Sequence, residues 1–547
     1  MKTVVIGGVA AGMSAAARLR RLDGEASIVV LERSGHVSFA NCGLPYHLGG
    51  TIEDRSALLL QTPEALRARF GLEVRVRHEV LRIDRAAQVL EVHDAVADRR
   101  YRESYDTLVL APGAVPFVPD IPGAELGFTL RNIEDLDRLV TAVADAPRRA
   151  VVVGAGFIGL EVAENLARRE IDVTLIEAAG QVLAPFDVEM AALVERELRR
   201  NGVDLLLSTS LASVEAGYVT TDAGERRAAD LVVFAVGVRP DTTLARACGL
   251  ALGPRGGIAV DGEMRTSDPY ILAVGDATEK IDAVDGEAVL VPLANLANRH
   301  GRRAADVIAG VPTPPRPAQG TAILRVFDLS AAITGWSEKR ARAAGRDVAV
   351  IHTHGASHAR YYPGADEVSL KLVYDPLDAT IIGAQAVGGA GVDKRIDVLA
   401  TAQSAGLRAP QLADLELAYA PQFGSAKDPV NILGYVAENR LGAVRSLQWH
   451  ELPLAVEAGA TLLDVRTPEE YEAGHIPGAF NVPVDDLDPA FGFEGPLVVY
   501  CRVGQRAHIA AMALAGAGRD VANLDGGWLT WEAATSRQDE TEVLPAR

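Results

Sequence analysis

Two stretches of this chain repeat one plan: an apolar strand, a glycine-rich turn, a helix, and a second strand closed by a glutamate. In the first, residues 3–6 read as strand, Gly7-Gly8-Val9-Ala10-Ala11-Gly12 as turn, 10–22 as helix and 27–31 as strand, with Glu32 behind it. In the second, 150–153 read as strand, Gly154-Ala155-Gly156-Phe157-Ile158-Gly159 as turn, 158–168 as helix and 172–176 as strand, with Glu177 behind it. Glycines at this spacing permit a tight turn and bring the backbone and a helix N-terminus against a pyrophosphate. A carboxylate about twenty residues further on accepts from ribose hydroxyls. Val9 occupies the second glycine position of the first copy, whereas the second copy is complete. Short apolar strands return at 107–115 and 230–280, so one dinucleotide fold interrupts another and the class is α/β. Ala178, Ala179 and Gly180 follow Glu177, with no arginine to take a 2′-phosphate. That selects NADH, with NADPH the alternative donor.

The 547 residues exceed what one core holds. After Pro312-Thr313-Pro314-Pro315 the texture changes to strands at 322–327, 348–352, 369–374 and 381–386, followed by helices, which is an α+β module. A junction at 439–447 leads into a strand–helix unit over 448–547, whose last ten residues read as a polar tail. The net charge of −19 argues against nucleic acid and anionic membranes as partners. No run of about 18 apolar residues is present to span a membrane. The apolar N-terminal stretch reads as strand, turn and helix rather than a signal peptide. The three cysteines, Cys42, Cys248 and Cys501, form no CxxC pair, which argues against zinc and a disulfide framework and for the cytoplasm. Cys248 reads as structural, and His352, His354 and His358 as solvated or capping groups without metal-ligand spacing.

The two turns, together with Thr266-Ser267-Asp268-Pro269-Tyr270-Ile271-Leu272-Ala273-Val274-Gly275-Asp276 and the crossover string Leu110-Ala111-Pro112-Gly113, resemble the FAD/NAD-linked disulfide reductase superfamily. The resemblance implies FAD at Gly7, Val9, Ala10, Ala11, Gly12, Glu32, Asn41, Cys42, Ala111, Gly113, Gly275 and Asp276. It implies the nicotinamide nucleotide at Gly154, Gly156, Phe157, Ile158, Gly159, Glu177 and Gly237. Ser38-Phe39-Ala40-Asn41-Cys42-Gly43-Leu44-Pro45-Tyr46 holds one cysteine where dithiol members carry two. A lone thiol cannot close an internal disulfide, so its oxidised form is a mixed disulfide or a sulfenic acid. This context resembles coenzyme A disulfide reductases and their persulfide-reducing relatives, in which the thiolate, with a pKa lowered by a helix or turn N-terminus and the flavin, attacks a substrate S–S bond. By the same resemblance Tyr361 and Tyr419 belong to a dimerisation domain and reach the partner subunit's cysteine in a homodimer. Coenzyme A would then meet Ser14, Arg18, Arg21, Ser38, Asn41, Tyr361, Tyr419 and Lys427, with Arg302 a further candidate. A solvated basic face is the competing reading of the arginines, and a structural thiol that of Cys42.

The C-terminal unit carries Leu463-Asp464-Val465-Arg466, Gly474-His475-Ile476-Pro477-Gly478-Ala479, an active-site string Cys501-Arg502-Val503-Gly504-Gln505-Arg506 and the closing Leu524-Asp525-Gly526-Gly527-Trp528. These resemble a rhodanese domain. Backbone N–H groups of such a loop form an anion cradle for a thiolate or persulfide at Cys501, Arg502 and Arg506 adding positive charge. Arg466 reads as pinning the fold through a buried carboxylate. The implied domains are 1–148 with 255–320 for FAD, 149–254 for the nicotinamide nucleotide, 321–440 for dimerisation and 448–547 for the rhodanese unit. The implied function is FAD-dependent NAD(P)H reduction of coenzyme A persulfide, polysulfide or coenzyme A disulfide at Cys42, with a fused sulfurtransferase handling sulfane sulfur. An NADH oxidase or peroxidase cycling Cys42 through sulfenic acid is the alternative, and a non-enzymatic redox sensor is a third.

Overall fold

A computed structural model describes residues 1–441, 444–489 and 492–536, so the polar tail and part of the 439–447 junction lie outside the described residues. The chain forms two compact units, residues 1–180 with 202–320 and residues 181–201 with 321–547.

In the first unit Lys2–Ile6 is the middle strand of a five-stranded sheet ordered Ile271–Ala273, Thr107–Leu110, Lys2–Ile6, Ser27–Glu32, Glu73–Val76, every pairing parallel. Its inner strands carry apolar runs, at 4–6, 28–31 and 108–110, because both faces are covered there. The helix Ala10–Leu22 turns Ala11, Gly12, Ala15 and Ala16 inward. That small-residue face admits the helix Ala294–Ile308 so closely that a Cβ on Gly301 would lie 2.1 Å from the Ala11 carbonyl oxygen. The second dinucleotide fold is a parallel sheet ordered Asp204–Leu206, Asp172–Ile176, Arg149–Val153, Leu231–Phe234. A two-stranded ribbon, Ala114–Pro116 against Val238–Pro240, joins the two folds directly after the Ala111–Gly113 string.

The second unit holds an antiparallel sheet ordered Ala322–Val326, Leu329–Gly335, Ile381–Gly388, Glu367–Tyr374, Ala349–Ala356. The helices Val392–Ser404 and Pro429–Asn439 bury Ile396, Leu399, Val430 and Leu433 against it. Two departures from the sequence reading occur here. The strand Leu329–Gly335 is an addition, and Ala349–Ala356 runs four residues past the expected end at 352 because Thr353, His354, Gly355 and Ala356 continue the antiparallel pairing with Leu370, Ser369, Val368 and Glu367. The helix Val188–Arg200 also belongs to this unit by its packing, although it lies inside the segment expected to form the nicotinamide fold. Buried ion pairs hold it: Lys371 Nζ is 3.0 Å from Asp187 and also bonds Glu189. A parallel five-stranded sheet, Arg445–Leu447, Val521–Leu524, Leu497–Tyr500, Thr461–Asp464, Phe480–Asn481, completes the unit.

Candidate functional sites

The two glycine turns are built alike. Gly7 and Gly154 adopt positive φ, and a Cβ on Gly12 or Gly159 would lie 1.9 or 1.8 Å from the carbonyl oxygen of Gly7 or Gly154. The middle position carries no such demand: Val9 has φ −113° and Gly156 φ −79°, so valine fits the backbone of the first turn. A Cβ on Gly156 would meet nothing within 4 Å, leaving the space a pyrophosphate needs. Glu32 accepts from Gly8 N at 2.7 Å and Ser34 N at 2.8 Å; Glu177 accepts from Ala155 N at 2.7 Å and Ala179 N at 2.8 Å. Each carboxylate is thus fixed at its strand end with lone pairs to spare for ribose hydroxyls. Ala111, Gly113 and Gly237 sit at the two ends of the crossover ribbon, Phe117 N donating to Gly237 O and Asp241 N to Gly113 O.

Asp276 lies in the turn Gly275–Ala277 behind the strand Ile271–Ala273, and its buried Oδ1 has no hydrogen-bond partner among the described residues. An orphaned buried carboxylate oxygen calls for a donor, and a ribityl hydroxyl of FAD is one that would fit. Lys280 donates to Gly275 O at 2.7 Å and Thr278 O at 2.8 Å. Burial lowers its pKa to about 8 against the pull of Asp276. With Val9 accommodated in the backbone of the first turn and Glu32 fixed, the residues present fit the flavin nucleotide.

Cys42 sits on the turn Asn41–Gly43, which runs straight into the helix Leu44–Leu48, and it is exposed rather than a buried structural thiol. Asn41 Nδ2 donates to Arg131 O at 3.3 Å, and Ser38 holds a positive φ of 48° beside it. The expected lowering of the thiol pKa by the chain is not found. Desolvation by the protein around it, then the Glu161 and Asp276 carboxylates, push it above the ordinary value. The larger of the two charges, Glu161, is a residue that the sequence reading left without a role, as is the Tyr46 that bonds it. Tyr46 donates its hydroxyl to Glu161 Oε1 at 3.1 Å, and burial raises the Glu161 carboxyl to about 7. The signal was present: Glu161 stands two residues past Gly159, on a helix whose start the glycine motif fixes.

The basic groups expected for coenzyme A are divided. Ser14 Oγ donates to Asn298 at 2.6 Å. Arg18 is held by Asp306 at 2.7 Å, the same carboxylate lying 3.9 Å from Arg302, while Arg21 is exposed. Arg18 is therefore an ion-paired, half-buried group rather than a fully solvated charge. In the second unit Tyr361 and Tyr419 come together, hydroxyl to hydroxyl at 3.0 Å, and are 76% and 49% exposed. Lys427 is exposed in that unit.

Cys501 is buried at the end of Leu497–Tyr500, and its loop enters the helix Gln505–Gly516 through Gly504 at φ +92°. The closing signature clamps the loop: Trp528 N donates to Cys501 O at 2.8 Å and Leu529 N to Arg502 O at 3.1 Å. A Cβ on Gly527 would lie 2.3 Å from Cys501 O, which explains the paired glycines. The charge around the loop is more balanced than the sequence implies. Arg506 bonds Glu470 through two contacts at 2.7 and 2.8 Å and holds that carboxyl down to about 2, and exposed Arg502 lies 3.6 Å from Glu367. Arg466 is buried on Asp464, its Nη2 2.5 Å from Oδ2. The histidines differ from expectation. His352 is buried between two carboxylates, His354 bonds Ser369 and Thr530, and His358 bonds Ser357 and Pro363 O. Cys248 caps a helix, Sγ donating to Ala245 O at 3.4 Å.

Residues 1–301 match the family model of pyridine nucleotide-disulphide oxidoreductases, 321–429 that family's dimerisation domain, and 448–534 the rhodanese-like domain. The coenzyme A disulfide reductase of Staphylococcus aureus (strain bovine RF122 / ET3-1) is 35% identical over 444 residues, covering 80% of this chain and 100% of that protein. The structure of reduced Bacillus anthracis CoADR-RHD matches with a TM-score of 0.96 at 43% identity, covering 98% of both chains. The NAD-dependent persulfide reductase of A. fulgidus matches at 0.91 and 37% identity, covering 97% of this chain and 100% of that one. The water-forming NADH oxidase of Lactobacillus brevis matches at 0.77 and 28%, covering 81% of this chain and 99% of that one. The chain thus belongs to the pyridine nucleotide-disulphide oxidoreductases, as an FAD- and NAD(P)H-dependent member with a dimerisation domain and a C-terminal rhodanese-like domain.

Proposed function

We propose that this enzyme uses NADH to reduce coenzyme A persulfide, polysulfide or coenzyme A disulfide at Cys42, and that Cys501 handles the sulfane sulfur. The observation that carries the reading is the pairing of a lone exposed thiol, within electrostatic reach of Asp276, with an intact Cys501 loop in one chain. Bound FAD supplies two-electron transfer from NADH to sulfur. With a persulfide, the Cys42 thiolate attacks the coenzyme A sulfur, a mixed disulfide forms, and hydrosulfide leaves. Two electrons from NADH then return Cys42 and coenzyme A as thiolates. Glu177, followed by Ala178, Ala179 and Gly180, supports NADH over NADPH.

Coenzyme A phosphates are assigned to Ser14, Arg18, Arg21, Arg302 and Lys427, with Ser38 and Asn41 beside the thiol. The exposed Tyr361–Tyr419 pair would donate to the leaving thiolate at the partner subunit's active site, which requires a homodimer. No described helix is long and apolar enough to cross a membrane, and the cysteine usage supports a cytoplasmic enzyme.

The test is anaerobic NADH oxidation by the flavin-loaded protein with coenzyme A persulfide, coenzyme A disulfide and polysulfide in parallel, assaying sulfide. One sulfide per NADH from persulfide, lost in Cys42→Ser, is the expected outcome. NADH use that appears only when oxygen or peroxide is admitted would instead make Cys42 a sulfenate-cycling residue.

A further inference from the structure

His352 and His354 lie two residues apart on the strand Ala349–Ala356, so both side chains leave the same face. Both grip the rhodanese segment that clamps the Cys501 loop. His354 bonds Thr530 Oγ1 at 2.8 Å. His352 is buried and donates twice to Asp525 Oδ2, from its backbone N at 2.9 Å and from Nδ1 at 2.7 Å. Its Nε2 faces Glu189 Oε1 at 3.0 Å. A carboxylate only accepts, so an imidazole with a carboxylate on each nitrogen is an imidazolium. Asp525 is the first residue of the Asp525-Gly526-Gly527-Trp528 turn, and that turn holds the loop through Trp528 N to Cys501 O and Leu529 N to Arg502 O. A Cβ on Gly526 would lie 2.8 Å from His352 Cβ, so the turn is seated directly on this histidine.

We propose that His352, through Asp525, is a positioning residue for the Cys501 loop, so that sulfur transfer in the rhodanese domain depends on a cation supplied by the dimerisation sheet. The charges facing His352 are Glu189 on the helix Val188–Arg200, Lys371 on the neighbouring strand, Asp525, and Arg440, which bonds the other Asp525 oxygen at 2.7 Å. The inference rests on Cys501 being a sulfur acceptor. In that step the donor's S–S bond breaks, a new one forms at Cys501, and the donor leaves as its thiol with no net redox change.

The experiment uses the flavin-loaded full chain. Coenzyme A persulfide is mixed with it without NADH, and persulfide on the Cys501 peptide is followed by mass spectrometry across pH. In parallel, NADH-driven coenzyme A disulfide reduction reports on Cys42. His352→Gln should slow persulfidation of Cys501 at least tenfold while disulfide reduction stays within twofold. The wild type should lose rate as pH rises through about 9, where, working against burial, the hydrogen bonds to Asp525 and Glu189 place the His352 proton, and the variant should lack that limb. Equal rates and equal pH profiles in the two proteins would overturn the inference. A wild type that acquires no sulfur at Cys501 would overturn the sulfurtransferase reading instead. Should His352→Gln not accumulate as flavoprotein, Glu189→Gln carries the test. Its amide oxygen still accepts from Nε2, and a loss of about threefold is expected, no change being the contrary result.

Discussion

Cys42 is a thiol that its own chain makes less acidic, and the group most responsible after desolvation titrates close to neutrality. Glu161 is neutral below about pH 7 and charged above it, and only the charged form opposes the Cys42 thiolate. The opposition is therefore pH-dependent, with a sign fixed by the direction of the Glu161 shift. Glu161→Gln keeps the hydrogen bond from Tyr46 and removes the charge. Alkylation of Cys42 in the oxidant-free holoenzyme should proceed at equal rates in the two proteins at pH 6. By pH 8 it should be several-fold faster in the variant, because only there is the opposing Glu161 charge present to be removed. A rate ratio that is flat across this range would separate Glu161 from the thiol. Much at this scale was legible in the sequence: Glu32, Glu177 and Asp276 stand at strand ends that the motifs announce. Asp306, the partner of Arg18, was not, because the two are 288 residues apart and share no motif.

At the scale of elements, the helix Ala10–Leu22 and the strand Asp172–Ile176 have the bounds their periodicity predicts, since glycine turns and charged ends punctuate both. The helix Val188–Arg200 lies within 149–254 along the chain but packs in the unit with 321–547. Its inward acids look on paper like a solvated face; in the fold Glu189 and Asp187 meet the ammonium of Lys371, which also bonds Glu338 at 2.7 Å. These three carboxylates have the spacing of a cation site, and Lys371 is the cation that fills it. Such a cluster cannot be found by reading one element at a time. Removing one partner from a buried ionic group strands the others and costs about 3–5 kcal/mol. Lys371→Met should therefore lower the thermal midpoint of the flavoprotein by roughly 10 °C, at about 2–4 °C per kcal/mol for a domain of this size. A melting curve within two or so degrees of wild type would mean the acids neutralise by taking up protons instead.

Across the whole molecule, the tyrosine pair is the part of the proposed active site that one chain presents to solvent. Two phenols bonded to each other at 3.0 Å and left 76% and 49% exposed satisfy one another while waiting for a different partner. The dimerisation domain supplies that partner if Tyr361 and Tyr419 act on the cysteine of the second subunit, and subunit mixing decides the matter. Cys42→Ser and the double variant Tyr361→Phe, Tyr419→Phe should each be nearly inactive as homodimers. After exchange of subunits, half of the dimers are mixed, and each mixed dimer contains one site with an intact Cys42 facing intact tyrosines and one site lacking both. Activity should then return to about a quarter of the wild-type value per total protein, the expectation for an isologous two-fold dimer with shared sites. If the tyrosines serve the cysteine of their own chain, the mixed dimer contains no complete site, and the mixture stays as inactive as its parents.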